Sequence, residues 1–139
     1  MNNMIKRVHS NFCLISNLNE TADFYEKLGF DAVVEDDAVR IKLGDFTLCL
    51  MDESKVEIQN EVGDAPRGSG LYTYIEVENV DEYYDFVKNN GLVPSSKPKT
   101  WPWGKREFAI VDPDGYKLVF FSPVKTAKKD NTKINYYEY

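Results

Sequence analysis

The sequence predicts an α+β fold of two tandem βαβββ modules, their curved mixed sheets paired around a cleft with the helices outside. Three observations predict it. Adding 62 to a position takes Asn17, Glu20, Asp23, Phe24 and Gly29 onto identical residues at Asn79, Glu82, Asp85, Phe86 and Gly91. Short β-rich runs bounded by turn residues flank both copies of that pattern. Residues 101–121, WPWGKREFAIVDPDGYKLVFF, then form a hairpin signature in which Asp112-Pro113-Asp114-Gly115 supplies the turn. One five-element module buries too little apolar surface to be stable alone, so two modules are expected to share a core.

Each element has a local cause. Residues 7–16 alternate, with Ser10, Phe12 and Leu14 on one face and His9, Asn11, Cys13 and Ile15 on the other. Asn17 then caps a helix, Glu20 stands at its third position, and Gly29 stops it. Leu18, Ala22, Tyr25 and Leu28 make its apolar stripe, with Phe24 alongside. Residues 31–35, 38–43 and 46–51 read as three strands joined at Asp36-Asp37 and Gly44-Asp45. The second module repeats this order: strand 71–77, the duplicated helix, a strand at 92–96 and the hairpin. The modules cover 7–51 and 70–123, within one domain over 1–124. Residues 52–69 are a polar linker, in which Gly68-Ser69-Gly70 reads as a flexible strand entry, and 125–139 are a polar tail.

Composition narrows the function classes. No apolar run approaches the roughly 20 residues that span a bilayer, and residues 1–8 are polar with no apolar centre, which predicts a cytoplasmic protein without a signal peptide or membrane partner. Cys13 and Cys49 sit in strand-like runs and are too few for a disulfide framework. The net charge is −6, and a local +2 in 125–139 leaves −8 for residues 1–124. Such a body repels nucleic acid and favours cationic ligands. The spacing of Gly68-Ser69-Gly70 is not that of a phosphate loop, and no Ser has a His and Asp placed for a triad. Trp101 and Trp103 flank Pro102 ahead of Gly104, so two large rings on a stiff backbone make either a core plug or a stacking surface.

The tandem modules, with Asp23-Phe24-Tyr25 and Leu28-Gly29-Phe30 in the first and Asp112-Pro113-Asp114-Gly115 near the end, resemble the vicinal oxygen chelate superfamily over about residues 7–123. That superfamily includes glyoxalase I, extradiol dioxygenases, fosfomycin-resistance enzymes and bleomycin-resistance proteins. Its metal enzymes hold a divalent ion on inner-face His or Glu side chains. The resemblance places those positions at Ser10, Tyr72 and Val119, and the strand 46–51 offers no carboxylate until Asp52. An apolar Val cannot donate to a metal, so no metal and no cofactor are expected. One residue along, His9 points to the other face.

The run Pro102-Trp103-Gly104-Lys105-Arg106-Glu107-Phe108 ahead of Asp112-Pro113 is similar to the metal-free branch, the bleomycin-resistance proteins. The resemblance implies a homodimer that sequesters a planar, cationic glycopeptide between aromatic rings. Trp103 then stacks on the ligand and Gly104 lets the chain approach it. Trp101 beside that motif, and Phe12, Tyr72 and Tyr74 by strand alternation, complete the expected ligand-binding set. Two alternatives stay open. One is an enzyme of the same superfamily, a lyase or dioxygenase with a relocated metal on Asp52, Glu76 and Glu107 and Tyr72 as acid or electrophile. The other is a subunit whose cleft is filled by its own aromatics.

Overall fold

The computed structural model describes residues 4–55 and 66–124, and the chain divides into two compact units, Met1–Ala65 and Pro66–Tyr139. The expected tail at 125–139, and residues 56–65 of the linker, lie outside the described residues.

In the first unit, β1 (Ser10–Ile15), α1 (Leu18–Lys27), β2 (Ala32–Glu35), β3 (Ala38–Leu43) and β4 (Phe46–Asp52) follow in order, with a 3-10 turn at Glu53–Lys55. The sheet order is β1-β4-β3-β2, with β1 parallel to β4 and the other pairs antiparallel. Asn17 Oδ1 accepts from the Glu20 N–H at 2.9 Å, which satisfies one of the N–H groups a helix start leaves open. At the other end Gly29 takes φ +94°, its N–H donates to Glu26 O and the Phe30 N–H donates to Tyr25 O. This is a Schellman ending, and only glycine adopts that φ without strain from a Cβ. The helix packs on β2 and β3 and buries Ala22, Tyr25 and Leu28. By register Val39, Ile41, Leu48 and Leu50 share the sheet face beneath it, and all four are buried. The turn between β2 and β3 carries positive φ at both Asp36 and Asp37, the handedness that matches strand twist in a two-residue hairpin.

The second unit repeats the plan with β5 (Tyr72–Glu76), α2 (Val80–Asn89), β6 (Lys99–Thr100), β7 (Lys105–Val111) and β8 (Lys117–Pro123), in sheet order β5-β8-β7-β6. The helix ends repeat as well. Asn79 Oδ1 accepts from the Glu82 N–H at 3.1 Å, Gly91 takes φ +87°, and the Leu92 N–H donates to Val87 O. Tyr83 of α2 places its ring 4.7 Å from Phe120 and 6.1 Å from Phe108, while Tyr84 meets Phe108 edge-on at 5.2 Å. Burial in this cluster pushes the Tyr83 phenol well above its ordinary pKa.

The repeat is imperfect in one place. The strand expected at 92–96 does not form, and β6 is only two residues long. Pro94 and Pro98 have no N–H to give to a ladder, so this segment follows β7 through isolated contacts. Ser95 N–H donates to Ala109 O at 2.8 Å, and Ser96 Oγ accepts from the Ala109 N–H at 3.1 Å.

A polar clamp ties α2 to this sheet. Arg106 Nε donates to Asp81 Oδ2 at 2.9 Å, Nη2 to Asp81 Oδ1 at 3.0 Å, and Nη1 to Thr100 Oγ1 at 3.1 Å. The guanidinium holds the Asp81 carboxyl below the usual carboxylate range. Its contribution is therefore present above the ordinary carboxylate pKa and lost as pH falls through the lower folded value. Both groups are partly exposed, so Asp81→Asn is expected to cost no more than about 1 kcal/mol at pH 7. In urea unfolding the difference between wild type and variant should shrink as the pH falls below the ordinary carboxylate range, and a gap independent of pH would disprove the linkage.

Candidate functional site

The hairpin from β6 into β7 builds the most specialised part of the chain. Its turn is closed by the Gly104 N–H donating to Trp101 O at 3.2 Å and the Trp101 N–H donating to Lys105 O at 2.9 Å. Pro102 presets the first central position, and Gly104 sits at φ +88°, where a Cβ would be strained. This geometry folds the two indoles onto each other: their centroids are 4.7 Å apart and their planes differ by 13°. Trp101 is 7% exposed and Trp103 is half-buried. Lys99 Nζ lies 4.2 Å from the Trp101 ring. Trp101 is thus the buried plug, and Trp103 is the more exposed ring of the pair.

Trp103 is further held by its N–H, which donates to Glu107 Oε1 at 3.0 Å. Glu107 is 1% exposed. A buried carboxylate accepting from an indole N–H fixes the ring's rotation as well as its stack. Beside the stack opens a cavity of about 510 Å³, lined by Ser95, Ser96, Lys97, Lys99, Trp101 and Glu107 among others.

Register assigns the rest of this sheet. Phe108, pairing with Phe120, faces α2; Glu107, pairing with Phe121, and Tyr74, pairing with Val119, lie on the opposite, distal face. Tyr72 pairs with Lys117 on that face. The Tyr74 and Phe121 rings are 6.0 Å apart, and Tyr74 is 43% exposed. Of the expected ligand-binding residues, the second unit therefore brings Tyr72, Tyr74, Trp101, Trp103 and Gly104 to one sheet and its hairpin. Phe12 belongs to the first unit, where it is 49% exposed on the distal face beside Cys49 and Arg40. Sequence reasoning did not single out Phe121, Lys99 or Arg40, although strand alternation counted forward from the Asp112 turn would have placed Phe121.

Charge is distributed by face. The helices and turns carry acids such as Asp23, Asp85, Asp36 and Asp45. On the distal face of the first sheet register places Arg40 and Lys42 against Glu35; on that of the second, Lys99, Lys105 and Lys117 against Glu76 and Glu107. The chain's acidity therefore does not describe these faces.

Comparison with known proteins settles the family. A model of the Glyoxalase/Bleomycin resistance protein/Dioxygenase superfamily matches residues 9–120. The chain belongs to this superfamily. Proteins named bleomycin resistance protein from Geobacillus stearothermophilus and Staphylococcus aureus (strain MRSA252) are each 28% identical over 123 residues, covering 81% of this chain and 93% of theirs. A solved structure of TnmS3, described as an antibiotic binding protein from Streptomyces sp. CB03234, has a TM-score of 0.67 at 26% identity, covering 86% of this chain and 97% of its own. A glyoxalase/bleomycin resistance protein/dioxygenase from Nocardioides shares the fold, with a TM-score of 0.74 at 18% identity over 93% of this chain and 91% of its own.

The metal of the superfamily's metal enzymes does not fit the residues present. Ser10 is exposed, with its Oγ 3.1 Å from His9 Nδ1; Tyr72 lies under Lys117 Nζ at 5.9 Å; Val119 is fully buried and apolar. Among the described residues no three His, Cys, Asp or Glu side chains are grouped to hold an ion. The relocated set is no closer to one. Asp52 Oδ1 accepts from the Ser54 hydroxyl at 2.7 Å and the Ser54 N–H at 3.0 Å, which hold its carboxyl below the usual range. Glu107 is engaged by Trp103, and Phe121 stands between its row position and that of Glu76. No helix among the described residues is long and apolar enough to cross a membrane.

Proposed function

We propose that this protein captures a planar aromatic small molecule, without transforming it, on the distal face of its second sheet beside the Trp103 hairpin. The observation that carries this is the Trp103 ring: half-buried, backed by Trp101 at 4.7 Å and locked by Glu107. A free surface ring must be ordered on binding, whereas this one is ordered already, which removes part of the entropic cost of association. Each stacked aromatic pair adds roughly 0.5–1.5 kcal/mol beyond area burial. Tyr72, Tyr74 and Phe121 on the same sheet extend the aromatic surface.

The names of the relatives support an antibiotic as the class of ligand, and a bleomycin-type glycopeptide is the first to test. The apolar Val119 and the hydroxyl side chains of Ser10 and Tyr72 support capture without a metal. A homodimer, as the resemblance implies, working in the cytoplasm is part of this reading. Calorimetric titration of chelator-treated protein with the glycopeptide should give micromolar or tighter binding. Trp103→Ala should weaken it by about tenfold or more, equivalent to about 1.4 kcal/mol. An unchanged dissociation constant would remove Trp103 from the site.

A further inference from the structure

Within that reading, and resting on it, the geometry points to a ligand whose planar ring system carries an oxyanion, such as a carboxylate, phenolate or sulfonate, met by Lys105 and Lys117. Lys105 Nζ stands 5.3 Å from the Phe121 ring centroid and 6.0 Å from that of Tyr74. Lys117 Nζ stands 5.9 Å from that of Tyr72. These rings form the aromatic surface of the distal face, and both ammonium groups stand over it, so a flat molecule entering among the rings meets them.

The ion pairs among the described residues leave both lysines out. The contrast with the adjacent residue is direct: Arg106 points to the helix side and spends its guanidinium on Asp81 and Thr100. The carboxylates on the distal face, Glu76 and Glu107, flank Phe121 and are outnumbered by Lys99, Lys105 and Lys117. Glu107 is buried under Trp103, and Glu76 lies at the end of β5. A cationic ring there would face like charges, and an anionic one would gain charge-assisted hydrogen bonds.

The first sheet carries the same signature independently. Arg40 lies in the row Phe12, Cys49, Arg40 on the distal face, and its buried Nε has no hydrogen-bond partner among the described residues. A buried donor left unsatisfied is costly until an acceptor arrives. Among the described residues the excess of acids sits on helices and turns, so it does not decide which charge is welcome on either distal face.

The test is calorimetric titration of the full chain, at low salt and pH 7, with 1-pyrenesulfonate and with 1-pyrenemethylammonium, which match in ring and oppose in charge. The sulfonate is expected to bind about tenfold tighter or more. In the Lys105→Gln/Lys117→Gln variant, checked for an unchanged unfolding midpoint, that advantage should disappear while the ammonium compound binds as well or better. Trp103→Ala should weaken both. Equal binding, or tighter binding of the ammonium compound, would overturn the charge assignment and leave aromatic capture standing. A sulfonate preference that survives the double variant would overturn the role of these lysines. Failure of both compounds to bind would remove the aromatic-capture reading, and the charge assignment with it.

Discussion

Gly68→Ala is expected to destabilise the protein by about 3 kcal/mol, combining left-handed backbone strain with overpacking. Gly68 sits at φ +75°, and a Cβ there would lie 2.5 Å from Gly115 O and 2.8 Å from Tyr116 Cα. Both are backbone atoms of the β7–β8 turn, so no rotamer change relieves the clash. That turn cannot shift freely. Asp112 Oδ1 accepts from the Asp114 and Tyr116 N–H groups, each at 2.9 Å, while the Asp112 N–H donates to Tyr116 O at 2.8 Å. Gly70 is the internal control. It has φ +77° but nothing within 4 Å of its Cβ position, so Gly70→Ala should cost only about 1 kcal/mol from backbone strain. Urea unfolding of the two variants measures the difference, and a Gly68 variant no less stable than the Gly70 variant would show that the close approach is absent.

Trp101→Ala is expected to cost about 3–4 kcal/mol, the range for deleting a large buried aromatic side chain. Its ring is 7% exposed between Lys99 and Trp103, so truncation leaves a cavity and strips the backing from the presented indole. Affinity for a planar ligand should therefore fall by about tenfold or more, although Trp101 offers the ligand little surface of its own. Trp101→Phe keeps a ring in the stack. It should recover most of the stability and most of the affinity, which separates lost backing from general unfolding. A Trp101→Ala protein as stable as wild type would contradict the buried placement.

Much of the fold was legible because its causes are local. The Asn caps, the glycine stops and the Asp112 turn act across five residues or fewer, and the repeat at 62 shows each helix device twice. The strand expected at 92–96 was the main error. Its signal was present in Pro94 and Pro98, which remove the donors a full strand needs. The pattern Gly68-Ser69-Gly70 predicts a flexible strand entry, whereas a Cβ at Gly68 would meet the Gly115 carbonyl, which no local pattern reveals. In the proposed site, the Pro102-Trp103-Gly104 motif points to the hairpin on which the proposal rests, but which indole is buried was not legible until the stack was seen.

By itself the sequence determined the order of the elements, the duplicated helix ends, the principal turns and the superfamily. Those features depend on backbone preferences and on side chains reaching their own neighbours. Only the tertiary structure decided which indole is buried, that Glu107 accepts from Trp103, and that Lys105 and Arg106 serve opposite faces of one sheet. It also decided that the distal faces carry cations on an acidic chain. Net charge is a sum over the chain, whereas a ligand meets one face, and strand register chooses which charges that face receives.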